Sequence, residues 1–426
     1  MESEEFEGRA GREDHPCILY LTHRLPYPPD KGDRIRNYHV LDWLSRRYAV
    51  HLACLADEPV GRGAIEHLRG VCARVAIVRV GGWARRLGAL TALVQGRTAT
   101  EGAFAVPRLR AVLRRWSHQT PFAAALASTS GLAPYLRMEE LRAVPAVVDL
   151  VDVDSQKWLD YAAAGRGPRA WLHALEGRRV RDLERNIAGW ARAITLVSRA
   201  EAELYRRACG PGPVHAITNG VDLDYFRPDP DAGDEEPSCV FVGALDYRPN
   251  VDAVVWFCRE VWPAIRGRQP RAHFALVGRQ PAPEVRRLAA LPGVELVGQV
   301  PDVRPHVARA AVVIAPLRMA RGVQNKVLEA LAMAKPTVAS PQAVTGLNVA
   351  PGIHVQLAST PTEWVEVIGQ LWEEPEARRS LGAAGRQYVE QHHRWDRCLD
   401  SLDPLLRPKD ASRSTPPSVQ RIAPPL

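Results

Sequence analysis

The sequence lacks the features that mark secreted, membrane-spanning and zinc-dependent proteins. Its seven cysteines are scattered and odd in number, with no C-x-x-C pair, which argues against a disulfide framework or a zinc knuckle. No run of about 18 apolar residues occurs, so no helix is expected to cross a membrane. The first residues, MESEEFEGRAGRED, are acidic and polar, unlike a secretory signal. We therefore expect a cytoplasmic protein with reduced cysteines.

Motifs of several enzyme classes are also missing. The chain contains no H-E-x-x-H, no P-loop and no G-x-S-x-G. Asp152 and Asp154 spell D-x-D, but their surroundings do not suggest a metal site, so we expect no metal. The basic segments lack interleaved aromatic side chains, which argues against nucleic-acid binding.

The chain has 426 residues and a net charge of +8, and the excess of positive charge lies in its first half. Residues 1–220 hold 32 Lys and Arg against 24 Asp and Glu, whereas the remainder holds 24 of each. A basic half can face anionic lipid or an acidic acceptor. Residues 81–116 combine Trp and Leu with clusters of Arg. This suits a helix lying on an anionic membrane, and equally a packed helix pair with solvated Arg.

Short apolar runs alternate with spans long enough for a helix along most of the chain, from CILYLT at Cys17 to IHVQLA at Ile353. This pattern is typical of parallel strands joined by crossover helices. It stops in a segment rich in Asp, Pro and Gly and restarts at Ser238. We expect an α/β protein of two doubly wound, Rossmann-like domains with a cleft between them. The expected boundaries are a disordered N-terminus at 1–14, a first domain at 15–217, a linker at 218–237, a second domain at 238–385, a C-terminal helix at 386–406 packing back towards the first domain, and a disordered tail at 407–426.

Residues 316–339, PLRMARGVQNKVLEALAMAKPTVA, form the strongest candidate for a ligand site. An apolar strand enters a loop, and Gly322 is expected to open a helix whose first turn offers unpaired N–H groups and a positive dipole end. A diphosphate binds well at such a terminus. Lys326 adds a positive charge, and Glu329 can accept both hydroxyls of a ribose. An ordinary helix with a solvated Lys and Glu is the alternative.

The loop after the first strand, THRLPYPPDKGDRIRN, is a second candidate site. Gly32 has no Cβ, so backbone there can approach a ligand closely. Asp33 is a plausible helix N-cap. Lys31, Arg34 and Arg36 are expected to surround an anion. A structural turn rich in Pro and Gly is the alternative.

A third cluster, DLVDVDSQKW, ends another strand. Asp149, Asp152 and Asp154 therefore fall at the carboxyl end of that strand, where ligands bind in open α/β sheets. Asp152 is the candidate for catalysis or substrate contact. Asp154 with Ser155 can equally serve as a helix cap.

RGVQNKVLEALAM resembles the donor-site helix of family 4 retaining glycosyltransferases, which have the GT-B fold. In that family two Glu are separated by seven residues, and a Gly follows the first. Gly322 matches the glycine, and Glu329 matches the second Glu, which holds the nucleotide ribose. Arg321 stands where the family usually has a Glu beside the transferred sugar.

The wider resemblance is to sugar transferases associated with exosortase/PEP-CTERM loci and their exopolysaccharides. It extends to THRLPYPPDKGDRIRNYHVLDWLS, DLVDVDSQKW, TLVSRAEAELY and ITNGVDLDYF, and it covers nearly all of residues 15–400. It implies a retaining transferase that moves sugar from a nucleoside-diphosphate sugar to a glycan or polyisoprenoid-linked acceptor, without a cofactor. A sugar-nucleotide epimerase of the same fold and a non-catalytic nucleotide- or glycan-binding protein are the alternatives.

These arguments name three groups of residues. The expected catalytic residues are Asp152 and Arg321. The expected donor-binding residues are Gly243, Arg248, Arg318, Gly322, Asn325, Lys326 and Glu329. The expected acceptor and phosphate loop comprises Lys31, Gly32, Asp33 and Arg34.

Overall fold

The computed structural model describes residues 3–8, 15–30, 32–229 and 237–407. The strands are β1 Ser3–Glu7, β2 Cys17–Thr22, β3 Ala49–Ala56, β4 Arg74–Arg79, β5 Ala124–Ser128, β6 Ala146–Val151, β7 Ala193–Leu196, β8 Val214–Ala216, β9 Ser238–Val242, β10 His273–Val277, β11 Val294–Gly298, β12 Val312–Ala315, β13 Thr337–Ala339 and β14 Gln356–Leu357.

The α-helices are α1 Gly32–Ser45, α2 Arg62–Val71, α3 Gly82–Val94, α4 Ala99–Phe104, α5 Pro107–Gln119, α6 Asp154–Ala163, α7 Pro168–Ala188, α8 Arg199–Cys209, α9 Arg248–Trp256, α10 Trp262–Arg268, α11 Pro283–Arg286, α12 Arg304–Arg309, α13 Asn325–Ala332, α14 Pro341–Val344, α15 Pro361–Glu373, α16 Pro375–His392, α17 Trp395–Leu399 and α18 Asp403–Leu406. A π-helical turn, Phe257–Val261, joins α9 to α10. Short 3-10 helices lie at Ser130–Arg137, Glu139–Leu141, Arg287–Ala290 and Asp400–Leu402.

The strands form two separate sheets. The first has the order β1-β4-β3-β2-β5-β6-β7-β8, and the second has the order β11-β10-β9-β12-β13-β14. All neighbours are parallel except β1, which runs antiparallel to β4. In each sheet the chain first adds strands on one side of its first parallel strand and then on the other side. The order therefore reverses between β2 and β5 in the first sheet and between β9 and β12 in the second. Such a switch point opens a crevice at the carboxyl ends of the strands. The expected two-domain, doubly wound architecture is confirmed.

Strand β2 shows why the apolar runs of the sequence form buried parallel strands. Leu19 and Leu21 belong to one hydrophobic cluster, whereas Ile18 and Tyr20 belong to another on the opposite face. Side chains alternate between the faces of a strand, so both faces of this sheet are covered. The second sheet is likewise covered by two clusters.

The N-terminal segment corrects one expectation, because residues 3–7 form strand β1 and are not disordered. Glu4 pairs with Arg79 at 2.7 Å, and Glu5 pairs with Arg115. Phe6 lies under the guanidinium of Arg69, 4.7 Å from its carbon. An acidic strand thus closes the basic edge of the first sheet. Residues 1–2 and 9–14, like 230–236 of the expected linker and 408–426 of the expected tail, lie outside the described residues.

The chain returns to the first domain near its C-terminus, but not as a single helix over 386–406. Helix α16 begins earlier, at Pro375, and its Tyr388 and Val389 pack in the second domain. After His393 the chain crosses over, and α17 and α18 follow. Trp395 and Leu399 then pack in the core of the first sheet.

Candidate active site

Segments that follow the carboxyl ends of strands in the two sheets meet across the crevice between the domains. Asp30, after β2, lies 4.0 Å from Arg279, which follows β10 (carboxylate oxygen to guanidinium nitrogen). Arg248, at the start of α9, lies over the ring of Tyr161 on α6 at 5.1 Å. Both pairs join the first domain to the second, so the carboxyl edges of the two sheets face each other.

Gly322 lies directly against Asp152 of the first domain. A Cβ added to Gly322 would stand only 2.1 Å from Oδ1 of Asp152, and its φ is +60°. The expectation that Gly322 opens the helix is wrong, because such a φ does not belong to a right-handed helix. Helix α13 begins at Asn325, with Gln324 as its N-cap. Gly322 instead lets the loop pass close to the opposite domain.

The Asp152 carboxyl group is held in an environment that disfavours its charge. Its Oδ1 is buried and has no hydrogen-bond partner among the described residues. Burial, with the negative charges of Glu201 and Asp154, raises the pKa of Asp152 to about 7. A carboxyl group with such a pKa can exchange a proton near neutral pH. Asp152 is therefore chemically suited to an acid–base role in the crevice.

Arg321, the other expected catalytic residue, reaches across the crevice to carboxylates of the first domain. Its Nε donates to Oδ2 of Asp160 at 2.9 Å, and its Nη1 lies 3.6 Å from Oε1 of Glu201. Glu201 also accepts a hydrogen bond from the backbone N–H of Val153 at 2.8 Å. The charge of Arg321 is thus balanced within the protein. Helix α6 provides contacts for both Arg321 and Arg248.

Gly243, Asn250 and Lys326 form one cluster at the carboxyl end of β9. The Nζ of Lys326 donates to Oδ1 of Asn250 at 2.5 Å and lies 4.6 Å from the centre of the Phe241 ring. A Cβ on Gly243 would be 2.9 Å from Asn250 Nδ2 and 3.2 Å from Lys326 Nζ. Asn250 is not among the site residues that the sequence predicted. Its amide also donates to the carbonyl of Ala244 at 2.9 Å, which holds the loop in place.

Lys326 and Glu329 lie partly buried beside this switch point, and their charges interact. Burial lowers the pKa of Lys326 to about 7 and raises the pKa of Glu329 to about 7, and each charge partly offsets the shift of the other. In the first turn of α13 the N–H of Val327 donates to the carbonyl of Gln324 at 3.0 Å, which leaves the N–H groups of Asn325 and Lys326 without an acceptor in their own helix. A bound anion at this helix start would favour the charged form of Lys326.

Arg318 does not join this cluster, contrary to the expectation. Its Nε donates to Asp252 at 2.9 Å and its Nη2 donates to the other carboxylate oxygen at 2.5 Å. It also lies over the ring of Trp256 at 5.8 Å. Helix α9 therefore holds this side chain and balances its charge.

The expected ring of cations after β2 is also wrong. Arg34 pairs with Asp30 at 3.0 Å and with Glu58 at 2.7 Å. Arg36 is fully buried, and its Nε donates to Asp149 at 2.7 Å. The guanidinium charges are therefore balanced within the first domain, by Asp30 of the same loop and by Glu58 and Asp149 further along the chain. Lys31 lies outside the described residues.

Gly32 and Asp33 begin helix α1 at the same edge. A Cβ on Gly32 would meet nothing within 4 Å, so the helix start is open on that side. Asp33 accepts hydrogen bonds from His23 at 3.2 Å and from Arg24 at 2.9 Å. These bonds hold the pKa of Asp33 well below its usual range despite burial. Asp33 is therefore a fixed anion that orients the loop.

Asn219 joins the linker to both domains. Its Oδ1 accepts from Arg36 Nη1 at 2.8 Å, and its Nδ2 donates to Oδ1 of Asn325 at 3.0 Å. Its carbonyl accepts from Nδ1 of His393 at 2.8 Å, at the point where the chain crosses back. The first residue of α13 is thus bonded to the hinge between the domains.

Within the described ranges, no group of three or more His, Cys, Asp or Glu is arranged to hold a metal ion. None of the helices in that part of the chain has the length and apolar character needed to cross a bilayer.

Comparisons with known proteins agree with this geometry. Residues 236–374 match the model of the family described as glycosyl transferases group 1. The GDP-mannose-dependent alpha-(1-6)-phosphatidylinositol monomannoside mannosyltransferase of Mycobacterium tuberculosis is 30% identical over 265 residues. That match covers 55% of this chain and 66% of the relative, so the chain spans just under two thirds of its length.

Solved structures show the fold over a larger part of the chain. Sucrose-phosphate synthase from Thermosynechococcus elongatus superposes with a TM-score of 0.68 at 16% identity, covering 91% of this chain and 98% of its own. Anabaena HepE in complex with UDP-glucose superposes with a TM-score of 0.65 at 14% identity, covering 92% and 99%. The chain therefore has the GT-B fold, with a second domain that matches group 1 glycosyl transferases.

Proposed function

We propose that the protein is a retaining glycosyltransferase that moves a sugar from a nucleoside-diphosphate sugar to a glycan or polyisoprenoid-linked acceptor. The observation that carries this proposal is the cluster of Gly243, Lys326 and Glu329 at the switch point of the second sheet. It combines a helix start, a cation and a carboxylate in the order that a diphosphate and its ribose require.

The donor diphosphate is proposed to lie at the start of α13. The free amides of the first turn and the dipole of the helix attract its negative charge. Gly243 allows backbone to approach the phosphates, and Lys326 becomes fully charged beside them. Glu329, one turn further along, accepts the two hydroxyls of the ribose.

The reaction breaks the bond between the anomeric carbon and the diphosphate oxygen and forms a bond from that carbon to an acceptor hydroxyl. The leaving diphosphate gains negative charge, which the α13 start and Lys326 stabilise. Asp152 is proposed to contact the acceptor hydroxyl and take its proton. Retention of configuration follows from the resemblance to family 4 enzymes.

The biological setting is part of the same proposal. The resemblance to exosortase-associated transferases favours a role in exopolysaccharide synthesis, on the cytoplasmic side of the membrane. A polyisoprenoid-linked acceptor requires the basic first domain to approach a membrane. The named relatives support GDP-mannose and UDP-glucose as the first donors to test.

A thermal-shift screen against sugar nucleotides tests the proposal, since a true donor stabilises only the folded state. The best donor is then assayed for release of nucleoside diphosphate with glycan or lipid-linked acceptors. Lys326→Ala is expected to weaken donor binding by roughly 10- to 100-fold, because it removes a charge-assisted contact with phosphate.

Arg318→Ala is the matched control, because Arg318 is a cation of the same domain held by Asp252. It should leave donor affinity nearly unchanged. Absence of any stabilising sugar nucleotide, together with no diphosphate release, would contradict the proposal. Isomerisation of the donor without an acceptor would point instead to an epimerase.

A further inference from the structure

Helix α3 presents an apolar face to solvent. Trp83, Leu87, Leu90 and Val94, here called the α3 face, are 83%, 66%, 59% and 83% exposed. Their spacing of four, three and four residues places them on one side of the helix. Large apolar side chains grouped in this way on a surface indicate an interaction site.

The α3 face does not belong to the hydrophobic core of the first domain. Helix α5, from the same basic segment, buries Leu109 and Trp116 completely, so the expectation of a packed helix holds for α5. Helix α3 contacts α4 through its small residues: a Cβ on Gly88 would lie 2.3 Å from the carbonyl oxygen of Gly102. The small side of α3 therefore faces the protein, and its large side faces outward.

The first turn of α7 also exposes apolar side chains. Arg179 donates to the carbonyl of Leu93 at 2.9 Å, and Glu176 accepts from the N–H of Ala99 at 2.8 Å. These bonds hold α7 beside the C-terminal end of α3. Leu172, one turn before Glu176, and its neighbour Trp171 are also exposed. A second helix of the first domain thus also presents apolar side chains to solvent.

Helix α3 carries Arg but no Asp or Glu, and Arg85 on this helix pairs with Asp57 at 2.8 Å. Between Glu66 and Glu101 the sequence has six Arg and no Asp or Glu. Arg86, 5.9 Å from the ring of Trp83, and Arg97 form no ion pair with any residue that the structure describes. Their charges are available to an external anion.

We propose that the α3 face docks onto an anionic lipid bilayer, with Trp83 and Leu87 at the boundary of headgroups and acyl chains. Arg86 and Arg97 then lie among the lipid phosphates. Trp and Leu beside Arg, with no carboxylate on α3 itself, match the composition of helices that lie in the membrane interface. A symmetric contact with a second copy would instead place Arg against Arg.

This inference deepens the proposed function, since it names the surface that brings the enzyme to a lipid-linked acceptor. It can fail while the transferase activity stands. Donor binding depends on the second domain, whereas docking depends on helices of the first.

Sedimentation of the full chain with vesicles tests the proposal. We expect binding to vesicles of equal parts phosphatidylglycerol and phosphatidylcholine, at least about tenfold stronger than to phosphatidylcholine alone. The double variant Trp83→Ser/Leu87→Ser should lose about tenfold or more of this binding. Arg86→Gln/Arg97→Gln should lose several-fold and become less sensitive to salt.

Ile353→Ser is the matched control, because Ile353 is 58% exposed but lies in the second domain. It should bind vesicles like the parent protein. The donor-induced thermal shift of every variant should be unchanged, which separates docking from the donor site. No preference for anionic vesicles, or equal binding by the Trp83/Leu87 variant, would overturn the proposal. So would a dimer in solution that this variant converts to a monomer.

Discussion

At the scale of single residues, burial shifts the pKa values of acids and bases towards each other. Asp152 and Glu329 are carboxyl groups whose pKa values rise to about 7, whereas the pKa of Lys326 falls to about 7. Removing water disfavours the charged form in each case. A charged substrate therefore finds side chains whose protonation can change as it binds. This is the behaviour expected of a reactive crevice.

Asp152→Asn should stabilise the protein in a pH-dependent way. The raised pKa means that the folded state favours the protonated form of Asp152. The contribution of this group to the free energy of unfolding is therefore greatest below about pH 4 and is lost as the pH rises to 7. Asn mimics the protonated form at every pH. We expect no gain near pH 4 and a rise in Tm of about 2 °C or more at pH 8, measured by calorimetry. The exposed Asp224→Asn is the control, and equal gains at both pH values would refute this explanation.

At the scale of elements, the loop before α13 is shaped by close backbone contacts. Gly322 passes Asp152 on one side, and on the other a Cβ on Gly346 would lie 2.1 Å from the carbonyl oxygen of Gly322. Gln324 then donates to the carbonyl of Arg321 at 2.8 Å before the helix begins. These contacts determine where α13 starts and which way its free amides point.

Gly322→Ala should disturb both stability and donor binding. The added Cβ meets the Asp152 carboxylate at 2.1 Å and requires an L residue at a φ of +60°. We expect a loss of about 1–3 kcal/mol of unfolding free energy and weaker donor binding, measured by denaturation and thermal shift.

Gly352→Ala separates the two causes. Gly352 has a φ of +77° with nothing within 4 Å of its added Cβ, so only backbone strain of about 1 kcal/mol applies. Equal effects of the two substitutions would show that the contact with Asp152 is unimportant.

At the scale of the whole molecule, the domains are held by a small polar network at the hinge. Asn219 bonds Arg36 of the first domain, Asn325 of the second and His393 at the crossing point. Arg36 is also fixed by Asp149, which accepts from Thr195 at 2.7 Å. Any change in the angle between the domains must therefore rearrange these bonds.

Asn219→Ala should loosen the orientation of the domains without unfolding either sheet. It removes a partner from the buried Arg36 guanidinium, a loss of about 1.5–3 kcal/mol. We expect a larger radius of gyration by X-ray scattering and lower turnover. Asn348→Ala, at an exposed position of the second domain, is the control. Unchanged scattering and turnover would contradict a hinge role.

The sequence reasoning succeeded where a signal is local. The apolar runs predicted most of the parallel strands of both sheets but not β1, and the spacing after β12 placed Lys326 and Glu329 together on α13. It missed Asp160 as a partner of Arg321. At the start of α8, the N–H of Glu201 donates to Oγ of Ser198 at 3.1 Å, which is an ordinary helix cap. The side chain of Glu201 reaches Val153 and Arg321.

By itself, the sequence determined the alternation of strands and helices, the division into two α/β domains and the residue types beside the second switch point. These follow from periodicity and turn chemistry, which act over a few residues. Only the tertiary structure decided which charges are neutralised, as for Arg34 with Glu58 and Arg318 with Asp252. It also decided which carboxyl groups are buried away from solvent, as Asp152 and Glu329 are. Both depend on distances between residues far apart in the chain, and Coulomb energy and desolvation respond to distance and burial rather than to order in the sequence.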